Sequence, residues 1–150
     1  MTLKSPQEIA IMRQAGAITR GALEAAKAAV RPGVTTLAID RIVEDYIRAA
    51  GAVPSFKGYG GFPGSACVSV NEQVVHGIPG DRVLKEGDIV SIDVGVIYRG
   101  FHGDAARTYP VGRISADAQR LIEVTRKCFF EGIRFAKVGY RLGDLGAAIQ

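Results

Sequence analysis

Two aspartates and two histidines are the residues best suited to chemistry. Ser91-Ile92-Asp93-Val94-Gly95 sets Asp93 inside a β-branched run, and Gly103-Asp104-Ala105 sets Asp104 in the run that follows. A two-residue turn at Tyr98-Arg99 would place the two carboxylates directly opposite one another. A turn one residue further along makes them diagonal neighbours and still leaves both on one face, because strand side chains alternate with period two. Carboxylates about 5 Å apart repel unless a shared proton or a bound cation compensates. Two readings stand: a metal or acid–base site, or structural acids satisfying turn amides. Asp is depleted from strands, so the flanking Ile92 and Val94 weaken the structural reading at Asp93.

His76 lies in Val74-Val75-His76-Gly77-Ile78-Pro79, where a β-branched run meets a Gly/Pro turn and an imidazole can face a cleft. An ordinary surface histidine is the alternative. His102, two residues before Asp104, shares its strand face as a ligand or as a ligand's partner, and the sequence does not choose. The stretch Gly58 to Gly64 has no Lys and leads into a strand, which argues against a phosphate loop. It reads as a rigid loop presenting Tyr59 and Phe62 to an apolar pocket, or as plain core aromatics. Cys67 reads as a buried strand residue with no Cys-His-Asn or Gly-x-Ser-x-Gly context to make a nucleophile.

Periodicity supplies the elements that would hold these groups. Ser5 and Glu8 have capping-box spacing with Pro6 at the first helical position. Ile9, Met12, Gly16, Thr19, Leu23, Ala26 and Val30 then share one face until Arg31-Pro32-Gly33 ends the helix. A second helix starts near Thr36, with Leu37, Ile39, Ile42, Val43, Tyr46 and Ile47 apolar and Gly51 as its stop. Short β-branched runs follow at Cys67 to Val70, Val74-Val75, Ile89 to Ile97 and Phe101 to Val111. Their connections are too short for crossovers, so they pair antiparallel. Helical texture returns after Ser115, which makes the class α+β. A shift of 106 residues lays Ile18-Thr19-Arg20 on Val124-Thr125-Arg126, Gly33 on Gly139 and Val43 on Ile149. The expectation is one incomplete domain over 1–150, with 1–111 as a first pseudo-repeat and 116–150 as the start of a second.

Composition narrows the classes. The chain has 150 residues, 47% hydrophobic and 23% charged, which excludes a disordered or collagenous chain and supports one sizeable core. Its 19 Lys+Arg against 15 Asp+Glu give a net charge of +4 that is scattered rather than blocked. That pattern argues against a specific nucleic-acid or membrane partner. Cys67 and Cys128 lie far apart without a CxxC, as in a reducing compartment. Met1 to Pro6 lacks a signal-peptide core, and no run approaches the roughly 18 apolar residues of a membrane span, so a soluble cytoplasmic protein is expected.

Together the segments resemble the type I methionine aminopeptidases over essentially the whole chain. The likeness is sharpest in Gly58-Tyr59-Gly60-Gly61-Phe62-Pro63, in Ser69-Val70-Asn71-Glu72 through His76-Gly77-Ile78-Pro79, and in Ile92-Asp93-Val94 through Gly100-Phe101-His102-Gly103-Asp104. The resemblance implies the N-terminal half of a pita-bread fold, an antiparallel sheet with covering helices. It implies two divalent metal ions (Mn, Fe, Co or Zn) with Asp93 as terminal ligand and Asp104 as bridging ligand. His76 would contact the substrate near the scissile amide, and Tyr59, Phe62, Cys67 and Phe56 would line the methionine pocket. Val75 stands where family members often have Cys, and Phe62 where many have Tyr, both keeping an apolar surface.

The activity so implied is removal of the initiator methionine by metal-activated hydroxide. Its substrates would be peptides or nascent chains beginning with Met, and the basic balance is compatible with a ribosome partner. The family's remaining ligands, a His and two Glu, and a second substrate His are not assignable here. The 150-residue chain alone is therefore expected to be inactive. Two alternatives are another pita-bread hydrolase such as an Xaa-Pro aminopeptidase, and a non-enzymatic truncated remnant.

Overall fold

The computed structural model describes residues 3–150, so Met1 and Thr2 of the N-terminal stretch lie outside it. The chain divides into two units, one ending at Arg113 and the other covering Ile114–Gln150. The first contains α1 (Pro6–Ala29), α2 (Thr36–Ala49), β1 (Val53–Pro54), β2 (Ala66–Val70), β3 (Ile89–Tyr98) and β4 (Phe101–Pro110).

Helix α1 begins where its capping box predicts: Ser5 Oγ accepts the Glu8 N–H at 3.3 Å while Glu8 Oε2 accepts the Ser5 N–H at 2.7 Å. Its buried stripe is Ala15, Thr19, Ala22, Leu23, Ala26 and Ala29. Ile9 and Met12, expected on that face, are 46% and 37% exposed. Burial starts only at Ala15, so the first turns run free of the core. Helix α2 starts at the Thr35 cap and buries Thr36, Ile39, Asp40, Val43 and Ile47.

The four strands are antiparallel. β4 pairs with β3 along its whole length, and β1 and β2 share the other edge of β3. Alternation divides the sheet into two faces. Val90, Ile92, Val94 and Val96 of β3, with Ala66, Val68 and Val70 of β2, are buried in one core with Leu23, Ala26, Ile39, Val43 and Ile47 of the helices. Ser91, Asp93 and Gly95 point the other way, beside Cys67 and Ser69 of β2.

Two expectations need correction. The β3–β4 turn lies at Arg99-Gly100, not Tyr98-Arg99, with φ of 47° and 82° at its two residues. A two-residue turn of this hand needs positive φ at both positions, which glycine adopts freely. Asp93 therefore pairs with Ala106, and Asp104 with Gly95, so the acids are diagonal neighbours on one face. Val74-Val75 forms no strand and is 85% and 64% exposed. Asn71 turns the chain with φ 54°, and a local turn closes through Gln73 N–H to Val70 O and Val70 N–H to Gln73 Oε1. That turn leaves the two valines without a ladder partner.

Glu44 of α2 ties the helix to the segment that follows β1. Its carboxylate accepts Lys57 Nζ at 2.6 Å and Arg48 Nε at 2.8 Å. These bonds, Lys57 first, hold its pKa down at about 2. A depressed folded pKa contributes stability that is present above the ordinary value near 4.5 and is lost as pH falls through about 2. Lys57 and Arg48 are about half exposed, so solvent screens the pair. Glu44→Gln is expected to cost about 1 kcal/mol at neutral pH, with urea midpoints of the two proteins converging on acidification.

In the second unit, α3 (Ala116–Ile133) starts at Ser115, whose Oγ accepts the Ala118 N–H at 3.1 Å, and α4 (Leu142–Ile149) packs against it. Among the described residues no helix is long and apolar enough to cross a membrane.

Candidate functional site

The sheet face away from the helices forms the floor of a cavity of about 380 Å³, lined by Phe56, Tyr59, Phe62, Cys67, His76, Asp93 and Asp104. The seven residues to which the resemblance gave a metal or substrate role thus meet in one place, and His102 is not among them. Asp93 comes from β3, Asp104 from β4 and Cys67 from β2. Phe56, Tyr59 and Phe62 come from the loop after β1, and His76 from the loop between β2 and β3.

The apolar wall rests directly on the sheet. A Cβ on Gly95 would lie 2.5 Å from Phe56 Cε1 and 2.8 Å from Ser55 Cβ, so the bare backbone at this point is what lets Phe56 approach. Ser55 donates its N–H to Gly95 O at 2.8 Å. His102 does not line the cavity. Its Nδ1 lies 3.0 Å from Ser55 Oγ, where it braces the segment leading to Phe56.

Cys67 lies opposite Asp93 in the ladder and is 6% exposed. Burial, then the charges of Asp93 and Asp104, push its thiol up to about 11. It stays protonated at neutral pH, so it faces the cavity as an uncharged thiol rather than as a thiolate nucleophile.

Asp93 is the group in electrostatic difficulty. Among the described residues its Oδ1 is buried with no hydrogen-bond partner. Burial first, and the charge of Asp104 second, raise its pKa, while His76 opposes them. An orphaned carboxylate oxygen beside a second carboxylate on the same face is a donor set that fits a hard divalent cation. No group of three or more His, Cys, Asp or Glu among the described residues is placed to hold a metal ion. An ion here would rest on two carboxylates, with other donors completing its shell.

Sequence reasoning missed a buried acid that holds the start of a strand contributing to the cavity. Asp40 is 4% exposed, and its Oδ1 accepts the Ser65 and Ala66 N–H groups at 2.7 and 2.8 Å. It fixes the start of β2, one residue before Cys67. The signal was available: Thr36, Asp40, Val43 and Ile47 follow the spacing of an inward helix stripe.

Comparison with known proteins gives a consistent family. Methionine aminopeptidase 1 of Bacillus subtilis is 54% identical over 147 residues, 98% of this chain and 59% of that protein. The crystal structure of methionine aminopeptidase from Rickettsia prowazekii superimposes with a TM-score of 0.98 at 40% identity, covering 100% of this chain and 60% of that one. The prolidase from Pyrococcus furiosus, 24% identical, shares the fold with a TM-score of 0.88 over 98% of this chain and 42% of its own. The chain thus spans about three-fifths of the length of the curated relatives it matches. It is similar to the N-terminal portion of these methionine aminopeptidases and has the α+β pita-bread architecture, with an antiparallel sheet and covering helices. Metallopeptidase family M24 matches residues 10–150, which include every residue of the cavity, and the chain belongs to that family.

Proposed function

We propose that this chain supplies the methionine pocket and two carboxylate ligands of a methionyl aminopeptidase. The observation that carries the reading is the cavity itself, in which two carboxylates and a histidine adjoin an apolar wall. Asp93 and Asp104 would hold divalent metal, two ions in the full site, and oxygen donors of this kind suit Mn, Fe, Co or Zn without choosing among them. When bound, such ions polarise the scissile carbonyl and activate a water for attack.

The chain's own residues bind and orient. Phe56, Tyr59, Phe62 and the protonated Cys67 take up the methionine side chain, whose burial is worth about 1.5–3 kcal/mol. His76 hydrogen-bonds the substrate near the scissile amide. Substrates are peptides and nascent chains that begin with Met, in the cytoplasm, and ribosome docking is compatible with the net charge of +4.

The test is calorimetric titration of the purified chain with Mn(II) present. Met-Gly-Met is expected to bind roughly tenfold tighter than Ala-Pro, a difference of about 1.4 kcal/mol, and EDTA should weaken the binding of both. Equal binding would overturn the methionine reading, and tighter binding of Ala-Pro would favour a prolyl substrate. The 150-residue chain alone is expected to release no methionine. EDTA-sensitive release would show that two carboxylates suffice.

A further inference from the structure

His76 has a backbone φ of 58°, in the left-handed region that few non-glycine residues adopt and that His, like Asn and Asp, adopts more readily than the rest. Such a conformation persists only where neighbouring contacts impose it. Those contacts are on the next residue. Gly77 O accepts the Val68 N–H at 2.9 Å, and the Gly77 N–H donates to Ser69 Oγ at 3.0 Å. A Cβ on Gly77 would lie 2.3 Å from Val68 O, so the chain lies flat against β2 at this point. Ser69 is 3% exposed and sits on the same face of β2 as Cys67. A buried hydroxyl needs a partner, and here it serves a loop amide rather than another strand. The preceding loop is held at its start by the Val70–Gln73 turn, and residues 72–76 are exposed.

We propose that Ser69 is a positioning residue: by accepting the Gly77 N–H, its hydroxyl fixes the left-handed backbone at His76 and so aims the imidazole into the cavity. The functional meaning of that aim rests on the reading of His76 as a substrate contact, but the geometric claim does not.

Solution NMR of the isotopically labelled chain tests it, with no ligand needed. In Ser69→Ala, amide exchange at Gly77 should accelerate at least tenfold, and the His76 Cα and Cβ shifts should leave their left-handed values. Ser69→Thr, which restores a hydroxyl, should bring both back. Ser69→Cys keeps an unbranched side chain with a slightly larger, weaker acceptor and should fall between wild type and Ala. Thr108→Val is the control, because it removes a hydroxyl bond to Ser91 on the same sheet without touching Gly77. It should leave His76 unchanged. Unaltered His76 shifts in Ser69→Ala, or an equal change in Thr108→Val, would overturn the proposal. Loss of fold in both the Ala and Cys variants would make Ser69 a core determinant and overturn it as well. Failure of wild type to prefer Met-Gly-Met would remove the methionine reading and leave these shifts to be judged separately.

Discussion

Replacing Asp93 by Asn is expected to make the metal-free chain more stable and to abolish its response to metal. The charge at Asp93 is partly buried, its Oδ1 has no partner among the described residues, and Asp104 stands diagonally across the ladder. An unpaired buried charge costs more than an unpaired buried amide. The gain for Asp93→Asn is about 1–2 kcal/mol at neutral pH, a rise in thermal midpoint of roughly 2–8 °C. Wild type should gain stability as Mn(II) is added, by about 2.7 kcal/mol at a hundredfold excess over the dissociation constant, while the Asn variant stays flat. A lower midpoint for the metal-free variant would mean that the carboxylate is satisfied in the fold and is no candidate ligand.

The largest loss is expected at Asp40. Asp40→Ala leaves the Ser65 and Ala66 N–H groups without their acceptor at positions that are fully buried. Each orphaned donor costs about 1–3 kcal/mol, so a loss of about 3 kcal/mol is a moderate expectation. Asp40→Asn separates hydrogen bonding from charge. Both bonds go to one oxygen, and an amide oxygen has two lone pairs, so Asn can keep both.

The pH dependence has a definite sign. Burial is the largest influence on Asp40 and raises its pKa despite the two backbone bonds. The folded chain then holds this proton more tightly than the unfolded chain. Stability from this group falls as pH rises from the ordinary value near 3.8 through the raised folded value. Asp40→Asn should remove that slope in urea midpoints measured across the range, and an unchanged slope would assign it to other groups.

Much of the scaffold was legible because its signals are local. The Ser5–Glu8 box, the Thr36 helix start and the alternation of Val90, Ile92, Val94 and Val96 each depend on residues a few positions apart. The shared face of Asp93 and Asp104 was legible for the same reason, since parity survives a one-residue error in the turn. The register itself was not, because it depended on which pair of residues around Gly100 adopts positive φ. Asp40 was passed over because its burial is compensated by amides 25 and 26 positions away. The backbone at His76 depends in the same way on a hydroxyl seven residues earlier, and nothing in the adjacent residues announces it. The approach of Tyr59, Phe62 and His76 to the aspartates came from motif resemblance rather than from periodicity.

The two-faced sheet also bears on how such a sequence can change over time. Along β3, alternate positions answer to different demands: Ile92 and Val94 to folding, Asp93 between them to the cavity. Adjacent positions are therefore held by different physical constraints. A lineage could lose the chemistry of this face by drift at Asp93, Asp104 or Cys67 and still keep every residue its core requires. The fold would outlive the cavity's residues, and its persistence in a descendant would say little about whether they had been retained.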